Sequence, residues 1–287
     1  MSSPVKIISW NIARRVSPWH CLLAMDVDIA LLQEAAEPPA EVAERVEVDP
    51  APWRTAGADA NRPWRAAVVR LSDRARVEWI EPKSIEEAGP GEFAVSRLGT
   101  LAAATVTPPN ADPQSPTLPF VVISMYAPWL RPHTSTKSSW ILSDGSAHRA
   151  ISDLSVFIGQ QARHRLLAAG DLNILRGYGD YGDTYWAKRY ESVFARMEAL
   201  GLSLVGPEAP HGRQADPWPD ELPPASKNVP TYHSSHQSPA TATRQLDFVF
   251  ASQDLAESVK VRALNEPDRW GPSDHCRIAI EVASSDS

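Results

Sequence analysis

Polar residues of the kind that activates water follow an apolar segment in the middle of the chain. Residues 166–170 read Leu-Leu-Ala-Ala-Gly, and Asp171 and Asn173 come directly after them, separated by one leucine. An apolar run of this length predicts a buried strand, and strand geometry turns both polar side chains to the same side. An acid beside an amide at a strand end suits a water-activating site. Both residue types also follow strands because they form turns, so this segment alone leaves the two explanations open.

Other predicted strands end in, or contain, polar residues of the acid–base and metal-binding kind. An asparagine, a glutamate and a tyrosine each end a strongly apolar segment, and each has a structural explanation: a turn, a solvated surface position or core packing. Asp247 lies inside the alternating segment 245–251, where a buried acid is costly unless a cation or a hydrogen-bond donor pairs with it. The residues are Asn11, Glu34, Tyr126, Asp247, Asp274 and His275.

The elements that carry these residues alternate between strands and helices. A serine–proline pair beginning at Ser17 predicts a helix start between two apolar strands. This strand–helix–strand order favours layered α/β packing. Apolar periodicity predicts two further helices, at 146–161 and 186–200. The turn-like link between segments 64–71 and 74–81 predicts that these two form an antiparallel pair.

Composition limits the class of protein. The 287 residues, 43% of them hydrophobic, suffice for one large α/β domain over residues 1–287. A net charge of −7 argues against a broadly basic nucleic-acid-binding surface, although a basic cleft or a bound metal can supply positive charge locally. Two cysteines form no disulfide framework or zinc motif, which favours a reducing compartment. Without an apolar run of about 18 residues or a signal peptide, we expect a cytoplasmic monomer.

Six short motifs occur in order along the chain. Together they resemble the endonuclease/exonuclease/phosphatase superfamily, which includes pancreatic-type deoxyribonuclease and apurinic-site endonucleases. The resemblance extends from Ser9 to about Ile278, nearly the whole chain. The motifs are Ser9-Trp10-Asn11-Ile12, Leu32-Gln33-Glu34, Ser124-Met125-Tyr126-Ala127-Pro128, Gly170-Asp171-Leu172-Asn173, Gln245-Leu246-Asp247-Phe248 and Ser273-Asp274-His275.

The resemblance implies a fold class and a reaction. The fold is an α/β, four-layered sandwich, with two mixed β-sheets packed face to face and helices on the outside. The reaction is hydrolysis of phosphoesters that depends on Mg²⁺ or Mn²⁺. The metal would be held by Glu34, Asn11 and Asp274, a sparse set that suits Mg²⁺ because this ion keeps several of its waters.

The resemblance also implies roles for the remaining residues. Asp171 would position or deprotonate the attacking water, and Asn173 would orient that water or the phosphate. His275 would donate a hydrogen bond to a phosphate oxygen, with Asp247 fixing its tautomer. Tyr126 would donate its hydroxyl to the developing charge.

Two features depart from the pattern of the superfamily. The asparagine motif continues with Ala13 and Arg14, where some members have an acidic residue, and this leaves a second metal position open. His148 lies between the tyrosine and Gly-Asp-Leu-Asn motifs, where deoxyribonuclease-like members have a second catalytic histidine. His148 is therefore a candidate catalytic residue, with a surface position at a helix start as the alternative.

The fold alone does not name the substrate. One hypothesis is a nuclease that acts on DNA or RNA, with the nucleic acid held in a groove of basic and aromatic residues. A second is a phosphatase or phosphodiesterase that acts on a small-molecule or lipid phosphate, which the negative net charge favours. A third is a non-catalytic binding module, which the complete set of site residues disfavours. The groove residues would be Arg14, Arg15, Arg131, Lys137, Arg176, Tyr178, Tyr181 and Tyr185.

Overall fold

A computed structural model describes residues 3–55, 62–109, 118–132, 134–138, 141–158, 164–178 and 183–283. The strands are β1 (Val5–Asn11), β2 (Ile29–Ala36), β3 (Glu47–Val48), β4 (Trp64–Arg70), β5 (Arg76–Ile80), β6 (Lys83–Ser84), β7 (Ala94–Val95), β8 (Leu101–Thr107), β9 (Phe120–Tyr126), β10 (Leu166–Asp171), β11 (Leu202–Gly206), β12 (Asp247–Ser252), β13 (Val259–Leu264) and β14 (Arg277–Val282). The helices are α1 (Ser17–Leu23), α2 (Ala40–Ala43), α3 (Asp144–Asp153), α4 (Thr184–Ala199) and α5 (Gln253–Ala256). Among the described residues, no helix combines the length and apolar character needed to cross a membrane.

The longer strands form two six-stranded sheets. The first sheet has the strand order β13-β14-β1-β2-β4-β3, and the second has the order β11-β12-β10-β9-β8-β5. β1 and β2 pair in parallel, as do β9 and β10. The other neighbouring strands of the two sheets pair antiparallel. Both sheets are therefore mixed, as predicted.

The sheets pack face to face, and helices cover their outer faces. Side chains such as Ile7, Val68, Val122 and Val249 fill the space between the two sheets. A second apolar cluster packs α1 and α2 onto the outer face of the first sheet, and a third packs α3 and α4 onto the outer face of the second. Strands buried on both faces read as continuous apolar runs, which explains their strong sequence signal. The predicted four-layered sandwich is confirmed.

The predicted pairing of segments 64–71 and 74–81 is wrong. β4 lies in the first sheet between β2 and β3, whereas β5 pairs with β8 at the edge of the second sheet. The five central residues of β4 are all buried, which suits a strand covered by layers on both faces. In the link between β4 and β5, Ser72 and Arg74 bond to the buried Asp28. These bonds hold the chain where it crosses from one sheet to the other.

The two longer predicted helices are present. α4 begins at Thr184, because the Asp183 side chain accepts hydrogen bonds from the backbone N–H groups of the first turn. α3 ends at Asp153, earlier than predicted, and residues 154–157 continue as a tighter 3₁₀ turn. Residues 154 and 156–158 are all apolar, too many for one face of an α-helix, and the tighter turn lets them pack on the second sheet.

Candidate active site

The ends of strands from both sheets meet at one edge of the sandwich. Asp171 ends β10, and its partners in register are Tyr126 at the end of β9 and Asp247 at the start of β12. Asn11 ends β1, and Glu34 lies near the end of β2. The carboxyl ends of neighbouring parallel strands lie on the same edge of a sheet, which is where ligands bind in open α/β folds. The parallel pairs therefore bring the predicted residues together.

Gly170 sets the distance between β10 and β9. Its φ is +152°, and a Cβ atom at this position would lie 1.9 Å from the carbonyl oxygen of Met125. No side chain fits in this space, so the position requires glycine. Asp171 and Tyr126 directly follow these two residues, and their separation depends on the close approach of the two strands.

Three hydrogen bonds hold the buried carboxylate of Asp171. Asn11 Nδ2 donates to Asp171 Oδ2 at 3.0 Å, which links the first sheet to the second. Asn173 donates its backbone N–H to Asp171 Oδ1 and its Nδ2 to Oδ2, both at 2.9 Å. Asn173 has a φ of +52°, a conformation that asparagine adopts more readily than most residues. Donors from both sheets thus orient one acid.

His275 lies between two buried aspartates. Its Nδ1 is 2.8 Å from Asp247 Oδ2, and its Nε2 is 3.9 Å from Asp171 Oδ2. The indole N–H of Trp10 donates to the backbone carbonyl of His275 at 2.9 Å, and Tyr232 packs on the imidazole ring with 4.9 Å between ring centroids. The bond to Asp247 places a proton on Nδ1, and Nε2 faces the oxygen of Asp171.

Burial and neighbouring charges raise the pKa of both partners in this pair. Burial raises the pKa of Asp171 to about 7, with the charge of His275 opposing the rise and that of Asp247 adding to it. Burial alone would lower the pKa of His275, but the negative charges of Asp247 and Asp171 outweigh it and raise that pKa to about 10. His275 therefore carries protons on both nitrogens at neutral pH, where Asp171 titrates.

Glu34 is a partly exposed acid of the site. It has a φ of +46° and lies where the pairing of β2 with β4 shifts register, between Leu32 and Ala35. Tyr126 donates its hydroxyl to Glu34 Oε1 at 3.1 Å, and Arg14 Nε lies 3.2 Å from Glu34 Oε2. Burial, together with the charges of Glu34 and Asp171, raises the pKa of Tyr126 above its usual range. The tyrosine therefore remains a hydrogen-bond donor.

Glu34 and Asp274 have the donor chemistry that a magnesium-type ion requires. Both offer carboxylate oxygens, the ligands that Mg²⁺ prefers, and the Glu34 side chain is 19% exposed, so water can complete the coordination shell. Asn11 fits this role less well. Its Nδ2 donates to Asp171, and its Oδ1 accepts from the backbone N–H of Ala13 at 2.9 Å, so both polar atoms of the amide already have partners.

Asp171, Asp247 and His275 also offer three ligand atoms that lie within 4.8 Å of one another. A cation bound there would replace the 2.8 Å contact between His275 and Asp247. An imidazole ligand suits a transition metal better than Mg²⁺, which prefers oxygen. The donor chemistry of this buried group therefore fits Mg²⁺ less well than that of Glu34 does.

The structure does not bring His148 to this site. It lies on α3 in the outer helical layer, where its Nε2 is 3.1 Å from Ser192 Oγ on α4. Its backbone carbonyl accepts a hydrogen bond from Arg196 at 3.2 Å. Burial and the charge of Arg196 lower the pKa of His148. The packing of α3 against α4 over the second sheet turns this side chain toward a helix, so the predicted catalytic contact is not supported.

The basic and aromatic residues predicted to line a groove have different surroundings. Arg14 lies at the site, and Arg15 donates to the Pro272 carbonyl at 3.0 Å. Arg176 forms an ion pair with Glu208, which offsets its charge. Arg131, Lys137 and Tyr185 are exposed and Tyr178 is half-buried, whereas Tyr181 lies outside the described residues.

Sequence reasoning missed three residues that support the site. Ser273 Oγ donates to the backbone carbonyl of Asn11 at 2.7 Å, and Thr231 Oγ1 accepts from the backbone N–H of Asp247 at 3.1 Å. Trp64 packs its edge against Tyr126, with ring centroids 5.4 Å apart. Ser273 stands in a motif already recognised, which was a usable signal. Thr231 and Trp64 carry none, because only the pairing of distant strands brings them near.

Comparison of the sequence with protein-family models and with curated proteins finds no match. Solved structures do match. The AP endonuclease LMAP from Leishmania major aligns over 99% of this chain and 89% of its own, with a TM-score of 0.61 and 16% identity. The endonuclease domain of TRAS1, a telomere-specific non-LTR retrotransposon, aligns over 97% and 98%, with a TM-score of 0.58 and 15% identity. The 3′-5′ exonuclease NExo from Neisseria meningitidis aligns over 96% and 99%, with a TM-score of 0.58 and 18% identity. The chain therefore shares its fold with these three solved structures, and this fold is the α/β sandwich that the six motifs predicted.

Proposed function

We propose that this protein is a divalent-metal-dependent phosphodiesterase that cleaves DNA or RNA. The observation that carries the proposal is the group formed by Asp171, His275 and Asp247, which lies at the same edge of the sandwich as the partly exposed Glu34. The structures with which the chain shares its fold are described as endonucleases and an exonuclease, and this supports the choice of substrate.

Asp171 acts on the attacking water. Its carboxylate is held by Asn11 and Asn173, so one orientation is kept as the proton moves. A pKa of about 7 makes it a base matched to neutral pH, since proton transfer is most effective when the pKa of the base lies near the working pH. Asn11 and Asn173 are positioning residues in this scheme.

His275 donates from Nε2 to an oxygen of the phosphate. Asp247 holds the proton on Nδ1 through the 2.8 Å contact, which fixes the orientation of the ring. The raised pKa keeps the imidazole charged, and a charged donor is stronger than a neutral one. The Tyr126 hydroxyl, whose raised pKa keeps its proton in place, stabilises charge on the same face of the site.

Glu34 and Asp274 would hold the metal, Mg²⁺ or Mn²⁺. When bound, such an ion neutralises charge on the phosphate and on the leaving oxygen. Before substrate binds, the Tyr126 hydroxyl donates its single proton to Glu34 Oε1 and keeps that carboxylate oriented. In the proposed reaction this proton turns to the phosphate when substrate binds. Asp274 Oδ1 lies 3.3 Å from the hydroxyl oxygen of its neighbour Ser273, whose single proton is donated to the Asn11 carbonyl at 2.7 Å.

The test is hydrolysis of a panel of phosphate esters with and without metal. Plasmid DNA, single-stranded RNA, a duplex with an abasic site and simple phosphate monoesters are each incubated with the protein and Mg²⁺, Mn²⁺ or EDTA. We expect cleavage of at least one nucleic acid, loss of cleavage in EDTA and its return when metal is added. Metal-independent cleavage, or no cleavage of any nucleic acid, would contradict the proposal.

A second candidate is a phosphatase or phosphodiesterase that acts on a small-molecule or lipid phosphate. The net charge of −7 favours it, because a polyanionic nucleic acid is repelled by an acidic protein. The same panel separates the two. Nucleic-acid cleavage should weaken steeply with salt, since binding releases counterions, whereas monoester hydrolysis should vary little. Activity on monoesters or lipids alone would select the second candidate.

A further inference from the structure

Two arginines lie over the same tryptophan at the edge of the active site. The guanidinium carbon of Arg14 is 5.7 Å from the Trp64 ring centroid, and that of Arg62 is 4.8 Å from it. Trp64 is half-buried and packs edge-on against Tyr126. The ring therefore connects two cationic side chains to the tyrosine whose hydroxyl bonds to Glu34.

Arg14 is held at its backbone, and its side chain is more than half exposed. Its φ is +61°, and its backbone N–H donates to the carbonyl of Glu34 at 2.9 Å. Its Nε lies 3.2 Å from a carboxylate oxygen of Glu34, yet 57% of the side chain is exposed. The backbone bond fixes where the side chain begins, so the remaining guanidinium nitrogens are presented to solvent beside the proposed metal ligand.

Arg62 has no acidic partner within the described part of the chain. No carboxylate there lies within ion-pair distance of it, although it is close enough to Tyr126 for its charge to oppose the rise in the pKa of that hydroxyl. Two like charges near one ring repel each other unless an anion lies between them. Among the residues that the structure describes, no acid therefore compensates the charge of Arg62, even though the protein as a whole carries −7.

We propose that Arg14 and Arg62 bind a second phosphate of the substrate, next to the one that is hydrolysed. Guanidinium groups match the geometry of phosphate oxygens and bind them with paired hydrogen bonds. The hydrolysed phosphate has its own donor in His275 Nε2, which faces Asp171. The two arginines approach instead from the side of Trp64. The inference rests on the proposed function and narrows its substrate to molecules with at least two phosphates, as in a nucleic acid strand.

Nucleoside p-nitrophenyl phosphates with one or two phosphates test the inference. One pair of substrates carries the ester at the 5′ position of thymidine, with or without a 3′-phosphate, and a second pair reverses the two positions. For the pair that matches the strand polarity, we expect the added phosphate to raise kcat/KM of the natural protein by about 10-fold or more, the size of effect typical of a charge-assisted hydrogen bond.

Variants at the two arginines should remove that gain. Arg62→Ala and Arg14→Ala should lose more activity on the two-phosphate substrate than on the one-phosphate substrate, and the ratio of the two losses is the readout. Arg62→Lys should keep part of the gain, because lysine supplies charge without the paired geometry. Arg45→Ala is the control, because it removes an exposed arginine beyond the end of α2. This variant should keep the full gain in kcat/KM from the second phosphate. Equal losses on both substrates would show that the arginines only balance the charge of Glu34, and would overturn the inference.

Binding without turnover separates this inference from the proposed function. A labelled single-stranded oligonucleotide is titrated with the protein at several salt concentrations, with Ca²⁺ in place of Mg²⁺. Arg62→Ala should reduce the slope of log affinity against log salt by about 1, the change expected for one lost phosphate contact. Such a change without hydrolysis of any substrate would refute the catalytic proposal and keep the phosphate site. Hydrolysis with no gain from the added phosphate, together with an unchanged salt slope, would support the catalytic proposal and overturn the phosphate site.

Discussion

His275 and His148 carry the same ring in opposite surroundings. His275 is 4% exposed and lies between Asp247 and Asp171, and these negative charges overcome burial and raise its pKa to about 10. His148 faces Ser192 on a neighbouring helix, and burial together with the charge of Arg196 lowers its pKa. The surroundings favour the charged form of His275 and the neutral form of His148.

The difference shows what makes a histidine useful for phosphate chemistry here. Burial penalises the charged form of both rings, so an imidazolium persists only where acids compensate for the lost water. At His275 two aspartates do this, and the ring can donate to an anion. At His148 the largest charge effect comes from the cation Arg196, and it is only partly opposed by Asp144. Both residues stood at plausible positions in the sequence, and only their neighbours in space tell them apart.

The largest effect is expected from a substitution that removes the proposed base, Asp171, which lies beside His275. Asp171→Asn keeps the oxygen to which Asn11 and Asn173 donate, but an amide cannot take a proton from water. We expect kcat to fall by about 10²–10⁴-fold, with a smaller loss of thermal stability because the amide nitrogen cannot accept the bond from the Asn173 backbone N–H. Steady-state kinetics on the cleaved substrate measure kcat, and thermal unfolding measures stability.

The matched control is Asp153→Asn, which changes another buried acid whose pKa is raised by burial. Asp153 lies on α3 and bonds to Ser96, in the region of His148. This variant should keep its activity. Full activity of Asp171→Asn, or equal losses in both variants, would remove the distinction between the two regions.

Gly170→Ala should cost stability and activity together. The added methyl group would lie 1.9 Å from the Met125 carbonyl oxygen, so β9 and β10 must separate, and Asp171 and Tyr126 move with them. We expect unfolding free energy to fall by about 3 kcal/mol, measured by urea denaturation. Gly91→Ala is the control, because Gly91 also has a positive φ of 82° but nothing within 4 Å of the added atom. It should lose only about 1 kcal/mol. Similar losses at both positions would show that strand contact is not the cause.

The pH dependence should report both raised pKa values. Asp171 must be ionised to act as a base, so kcat/KM should rise with pH up to about 7. His275 must be protonated to donate, so kcat/KM should fall above about 10. The slope on each limb should approach 10-fold per pH unit. In His275→Gln the residual activity should lack the alkaline fall. A profile that is flat through neutral pH, or an alkaline fall that survives this substitution, would contradict the assignment.

The sequence predicted the strands that are buried on both faces. It did not predict which strands pair when they are distant along the chain. Apolar runs identified β1, β9 and β10 because strands buried on both faces have no polar alternation to obscure them. The segments around β4 and β5 looked like a hairpin because a short polar link usually turns back. Only the pairing of β4 with β2, and the bonds from the link to Asp28, show that the chain crosses between sheets.

The site was predictable as a set of residues and unpredictable as a set of contacts. Six motifs named Asp171, His275 and Glu34, because each stands at a strand end. The sequence did not indicate that Arg14 contacts Glu34 or that Trp64 packs on Tyr126. These contacts depend on backbone conformations with positive φ and on strand register, which side-chain periodicity does not encode. His148 shows a second limit, since its position between two motifs, where the resemblance places a second histidine, did not indicate its contact with Ser192 in the helical layer.

We expect the smallest effect on activity from His148→Gln. This substitution tests the surroundings of His148 between α3 and α4 alone. Glutamine can still bond to Ser192 but cannot gain a charge, so kcat should not change. Stability should change in its pH dependence. Because the pKa of His148 is lowered from 6.5 in the folded state, the unfolded chain gains a proton first as pH falls, and the natural protein loses stability below that value. The His148→Gln variant should lose less stability over the same pH range. Urea denaturation above and below pH 6.5 measures this difference in stability. A large fall in kcat would contradict the prediction, because it would mean that His148 takes part in the reaction and that α3 moves toward Asp171 during catalysis.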